Sequence, residues 1–285
     1  MPPIFPLRVV AMVATAMFLI VGGDAAGKIL TSQGVAPFTV AWARFSVAAV
    51  GLLPFCGMKR HEWRLMLDWR LWLRAALIAG GISLILTALK TEPMANVFAG
   101  FFVGPVVSYF LSAWVLRERI SGVRSALLAI SFAGVLIVVR PGFGMSPGLI
   151  FAVLAGCLHG CYLVATRWLA PSFRPRFLLL SQLIIGSVLL LPLVWGAEAV
   201  PLTGATTGLL AISAAGSAAG NLLLVTVNRT TPAGVVAPLI YSQLLAAAAY
   251  GYLIFGDVPD AARIVGIAII IGAGASSVWF AGRGR

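Results

Sequence analysis

Asp24 and Arg44 are the residues whose chemistry stands out in this chain, because both lie inside apolar stretches. An ionised group at a bilayer centre costs about 2.5–3.5 kcal/mol on insertion scales, so such groups usually face a protein interior and serve a function. Asp24 falls about six residues from one end of its stretch, and Arg44 about nine residues into the next from the same side; at about 1.5 Å per residue their depths differ by about 5 Å. An arginine side chain reaches that far, so the two can pair, bind a substrate carboxylate or gate a path. The alternative is that Lys28, one turn after Asp24, neutralises it, leaving Arg44 to snorkel toward the membrane surface.

Three further constellations promise chemistry and do not deliver it. GGDAAGK, residues 22–28, has phosphate-loop spacing, but Ile29 stands where a Ser or Thr would hold magnesium, and no strand precedes the run. An aspartyl protease needs two carboxylates sharing a proton, whereas Asp68, Asp257 and Asp260 fall in loops. Cys157 and Cys161 share one helix face, but His159 points about 200° away from Cys157, so one helix cannot aim them at one metal ion. With Cys56 they read as reduced packing residues.

His159 has a different interest. About twelve residues into its stretch, near the midplane, it is placed either for a cavity contact or proton acceptance, or for neutral packing between helices. Trp42, Asn96, Phe101, Tyr162, Tyr241, Ser242 and Gln243 lie at comparable middle or outer depths. Aromatic rings with polar tips suit an amphipathic guest in a central cavity; the plainer reading is hydrogen bonding between helices. Gly104 with Pro105, and Pro238, are candidate hinges.

The elements that must position these residues are membrane helices. Of 285 residues 61% are apolar and 10% charged, against about 25% charged in soluble domains. The 20 Lys and Arg against 8 Asp and Glu do not signal nucleic acid, because the bases sit between apolar spans rather than clustered on a soluble face. Ten stretches approach the roughly 20 apolar residues that cross a bilayer: 9–30, 35–58, 71–89, 93–116, 122–139, 148–169, 177–197, 205–227, 233–255 and 261–281. Arg8 followed by an apolar run without a small-residue cleavage site predicts a retained first helix. Pro37, Pro93, Pro147 and Pro232 fall near span starts, where a missing N–H costs little; Pro54, Pro105, Pro192 and Pro238 fall inside spans and bend them.

The chain also repeats itself. An offset of 139 residues carries Thr91 to Thr230, Pro93 to Pro232, Glu118 to Asp257, Arg124 to Arg263 and Lys28 to Arg167. Residues 1–140 and 148–285 are then two five-helix units joined by a linker at 141–147, within RPGFGMSP. Five is odd, so the second unit enters the membrane from the opposite face. The predicted fold is an all-α integral membrane protein of ten transmembrane helices, two inverted repeats around a central cavity near the midplane. Fifteen Lys and Arg on the side shared by both termini, against four on the other, place the termini in the cytoplasm.

The Thr-Pro opening, the Pro-bent fourth span, the LRERIS elbow with Glu118 and the small-residue fifth span FAGVLIVVRPG resemble the EamA-type branch of the drug/metabolite transporter superfamily. TTPAGVVAPLIYSQLLAAAAYGYLIFGDVPD repeats the pattern over 230–260, with Asp257 where that family usually has Glu. The resemblance implies a multi-pass exporter in the bacterial inner membrane, similar to exporters of aromatic and other amino acids. It predicts small amphipathic cargo, amino acids foremost, moved by alternating access, with no cofactor, no metal and no ATPase subunit, in contact with membrane lipid and small-molecule substrate only. Export of drugs or sugar-like metabolites uses the same fold. An intramembrane transferase would need clustered His, Asp or Glu, and two histidines with one plainly buried carboxylate are too few.

Overall fold

The structure, a computed structural model, describes residues 7–117, 122–139, 146–195, 203–230 and 239–283. The chain runs through α1 (Leu7–Ser32), α2 (Pro37–Cys56), α3 (Arg60–Leu65), α4 (Trp69–Thr91), α5 (Met94–Phe101), α6 (Val103–Val115), α7 (Gly122–Val139), α8 (Pro147–Leu169), α9 (Pro175–Trp195) and α10 (Gly204–Thr230). A 3₁₀ turn (Leu239–Tyr241), α11 (Ser242–Phe255) and α12 (Ala261–Arg283) follow. No strand occurs among the described residues. Pro238, Pro232, Glu118 and most of the 141–147 linker lie outside them.

Local chemistry sets the helix ends. Pro37 and Pro147 open α2 and α8 at positions where no intrahelical N–H bond is lost. Asp68 caps α4 by accepting from the Arg70 amide at 2.9 Å, and Ser146 caps α8 by accepting from the Leu149 amide at 3.3 Å. Gly57 and Gly256 end α2 and α11 at φ 57° and 68°, a left-handed conformation that favours glycine. The fourth apolar stretch is broken rather than merely bent. Phe102 leaves helical geometry between α5 and α6, because the ring of Pro105 displaces the carbonyl four residues back and offers it no N–H. The short α3 between the second and third apolar stretches has no counterpart among the predicted elements.

Among the described residues seven helices are long and apolar enough to cross a membrane, with Met94–Val115 counted as one; Ser125–Val139, Leu239–Phe255 and Ala261–Gly274 are shorter apolar helices. Their packing is pairwise: α1 lies on α10, α4 on α8, α2 on α9 and α7 on α12. Lipid is as apolar as leucine, so small residues that admit close approach bind such helices together. A side chain at Gly216 or Gly220 of α10 would press within 2.6 Å of the Leu19 or Ala16 carbonyl of α1, and one at Gly160 of α8 within 2.6 Å of the Gly104 carbonyl of α6. The core they enclose holds Phe45, Leu86, Phe98, Leu149, Leu244 and Ile270.

Candidate functional site

Two turns beyond Pro37, α2 carries Arg44 into the bundle, where it is 5% exposed. Its Nη1 donates to Asp24 Oδ1 of α1 at 2.5 Å. Asp24 is 4% exposed and flanked by Gly22, Gly23, Ala25 and Ala26, small residues that leave the carboxylate reachable from α2. Lys28 does not neutralise Asp24. It donates instead to the Glu92 carbonyl at 2.5 Å and stands 3.8 Å from Asp257 Oδ2. Of the two alternatives, a snorkelling Arg44 gives way to the buried ion pair, the arrangement in which neither charge is left uncompensated. One donor is still idle: Arg44 Nε is buried with no hydrogen-bond partner.

Arg44 opens onto a cavity of about 100 Å³ between α2, α4, α8, α9 and α10. Phe45, Ala48, Leu52, Ile78, Ile82, Leu179, Leu183 and Ala218 form an apolar wall, and His159, Tyr162, Gln182, Ser217 and Asn221 join Arg44 as its polar points. The Tyr162 hydroxyl donates to Gln182 Oε1 at 2.8 Å, tying α8 to α9 across the wall. His159 lies between the rings of Phe101 and Tyr162, at 4.9 and 5.6 Å between centroids. An apolar chamber with few placed polar groups beside a guanidinium is the kind of lining that can take a small amphipathic guest.

Of the residues singled out in the sequence, the structure gathers Arg44, His159 and Tyr162 on this cavity, with Asp24 and Phe101 directly behind it. The others are elsewhere. Trp42 packs on the central apolar core. Asn96 is 1% exposed, beside a separate space of about 20 Å³ shared with Asp257 and Arg263. Tyr241 stacks on Phe102 at 4.9 Å, and Ser242 bonds its own chain at the Leu239 carbonyl; Gln243 is half-buried and off the lining. Gly104 and Pro105 sit at the α5–α6 break. Cys157, His159 and Cys161 form no metal-ligating group, and none occurs among the described residues. Sequence reasoning missed Gln182, Ser217 and Asn221, although polar residues within the apolar runs FLLLSQLIIG and GSAAGNLLL were the available signal.

The sequence profile of the EamA-like transporter family matches residues 7–140 and again 146–278, two stretches beginning 139 residues apart. The chain belongs to the EamA-like transporter family. It is therefore a multi-pass membrane protein of the drug/metabolite transporter superfamily, and its curated relatives are transporters. This EamA-like chain is 29% identical over 188 residues to a pseudopaline exporter of Pseudomonas aeruginosa, covering 65% of this chain and 66% of the exporter, just under two thirds of its length. It is 23% identical over 236 residues to an S-adenosylmethionine uptake transporter of Rickettsia prowazekii, covering 82% and 80%. A crystal structure shares the fold at a TM-score of 0.68 and 18% identity, covering 97% of this chain and 98% of that one.

Proposed function

We propose that this protein exports small amphipathic metabolites bearing a carboxylate, amino acids foremost, through the cavity at Arg44, across the bacterial inner membrane and with both termini in the cytoplasm. The observation that carries the reading is the buried Arg44 on the lining of a mainly apolar cavity, its Nε without a hydrogen-bond partner. Asp24 holds the guanidinium in place, the spare N–H receives the cargo carboxylate, and the apolar wall takes the side chain. The similarity to an exporter, higher in identity than that to the uptake transporter, supports outward movement. Transport runs by alternating access between two inverted five-helix halves. In support of that symmetry, advancing each helix by one repeat exchanges α1–α10 packing with α8–α4, and α2–α10 with α9–α4. Ligand pockets usually measure about 300–1,000 Å³, so the cavity of about 100 Å³ widens to load cargo.

Purified protein in liposomes loaded with labelled amino acids tests this. Saturable efflux is expected, falling at least about tenfold in Arg44→Gln, the loss of one charge-assisted contact. Absence of efflux for every amino acid, or an unchanged rate in Arg44→Gln, would overturn the reading; efflux of sugars instead would favour the related exporter activity on the same fold.

A further inference from the structure

Arg74 has no part in the site described so far, yet it is only 3% exposed. It stands in the second turn of α4 (Trp69–Thr91), at the start of the apolar stretch 71–89. From α4 its Nε donates to Thr166 Oγ1 at 2.8 Å, Nη1 to the Leu178 carbonyl at 2.8 Å, and Nη2 to the Tyr162 hydroxyl at 3.1 Å. All three acceptors are neutral. A guanidinium has five N–H donors, so these bonds leave two uncommitted, and no carboxylate among the described residues pairs with Arg74. A buried cation without a counter-ion is costly to keep and marks a functional position.

Packing does not require it. The 139-residue offset carries Arg74 to Ser213, and brings Gly23 to Tyr162 and Gly27 to Thr166. In the α1–α10 contact Ser213 Oγ donates to the Gly23 carbonyl at 2.8 Å, a small-residue contact that holds two helices closely without charge. The equivalent α4–α8 contact has gained a cation, a phenol and a hydroxyl. That gain faces the cavity, because the Tyr162 hydroxyl, one hydrogen bond from Arg74, is also bonded to Gln182, and both Tyr162 and Gln182 line the chamber. Asp24 and Arg44 cancel one another, so Arg74 leaves the chamber's surroundings with one positive charge.

We propose that Arg74, acting behind Tyr162 and Gln182, is a second anion-binding point of the cavity, so that the cargo carries an anionic group besides the carboxylate met by Arg44. The proposal rests on the cavity being the transport path. Cargo of net negative charge supplies the missing counter-ion, with the Tyr162 hydroxyl yielding its place on Nη2 to the incoming oxygen.

L-glutamate and L-glutamine are nearly isosteric and differ in the distal charge, which makes them the probes, titrated as labelled compounds onto the purified full-length protein. Glutamate is expected to bind at least about tenfold more tightly, the worth of one charge-assisted contact; Arg74→Gln brings the two affinities together and Arg74→Lys retains part of the difference. Should Arg74→Gln fail to fold, Arg74→Lys and Tyr162→Phe carry the test, and both must change the affinity ratio. Equal binding of the two probes by the parent protein, or an unchanged ratio in the variants, overturns the second anion point and leaves the cavity assignment standing. Binding of neither probe by the parent protein overturns the second anion point, while the cavity assignment stands or falls on the efflux measurement with Arg44→Gln.

Discussion

Asp24 and Arg44 form the pair on which the interior of the bundle depends. Removing one partner of a buried ion pair leaves the other charge uncompensated and costs about 3–5 kcal/mol. Asp24→Asn is accordingly expected to lower the thermal midpoint of the purified protein sharply, and the Asp24→Asn/Arg44→Gln double variant to recover part of the loss; additive losses in the double variant would show that the two side chains do not act together. Both residues were legible in the sequence because an isolated charge in an apolar run has few reasons to exist. Arg74 was not. By sequence it groups with Arg64 and Arg70 as a loop base, and only the fold shows α8 and α9 closing over it. Tyr241, Ser242 and Gln243 share the depth of the cavity but not its azimuth, since depth follows from counting residues whereas the direction a helix faces depends on neighbours distant in sequence.

Helix α3 fastens two segments that lie 112 residues apart. Arg174, just before α9, donates from Nε and Nη2 to both oxygens of Glu62, at 2.8 and 2.6 Å, and reaches the Gly57 carbonyl at the end of α2. The Arg174 hydrogen bonds, with the Lys59 amide, hold the Glu62 carboxyl below its ordinary value. A carboxylate with a lowered pKa in the folded state stabilises at neutral pH, and that contribution disappears as pH falls through the lowered value. Lowering the pH from 7 to about 3, across the ordinary carboxylate range, should therefore reduce the thermal midpoint of the parent protein more than that of Glu62→Gln; equal reductions would contradict a role for this contact. Helix starts were readable from Pro37 and Pro147, whose backbone preferences are local. Helix α3 was not, because six residues give too short a pattern, and its hold on Glu62 comes from a residue far along the chain.

The whole molecule ties its two sequence repeats at both ends. At one end Lys28 from the first meets Asp257 from the second, and Glu92 accepts from Ser146 Oγ at the first residue of the second family match; at the other, Glu62 meets Arg174. The cavity of about 100 Å³ is a fraction of the volume a metabolite needs. Membrane character and the 139-residue repeat were visible in the sequence because composition and period need no three-dimensional information, and the family profile begins twice at that same spacing. The central claim is that this cavity is the transport path and meets each side of the membrane in turn. The most direct measurement is labelling of Ala218→Cys, on the cavity wall, by a membrane-impermeant thiol reagent added to either side of oriented vesicles, with Cys56, Cys157 and Cys161 replaced by alanine. Reaction from both sides, slowed in each case by cargo, is the predicted result; reaction from one side only, or from neither, would contradict it.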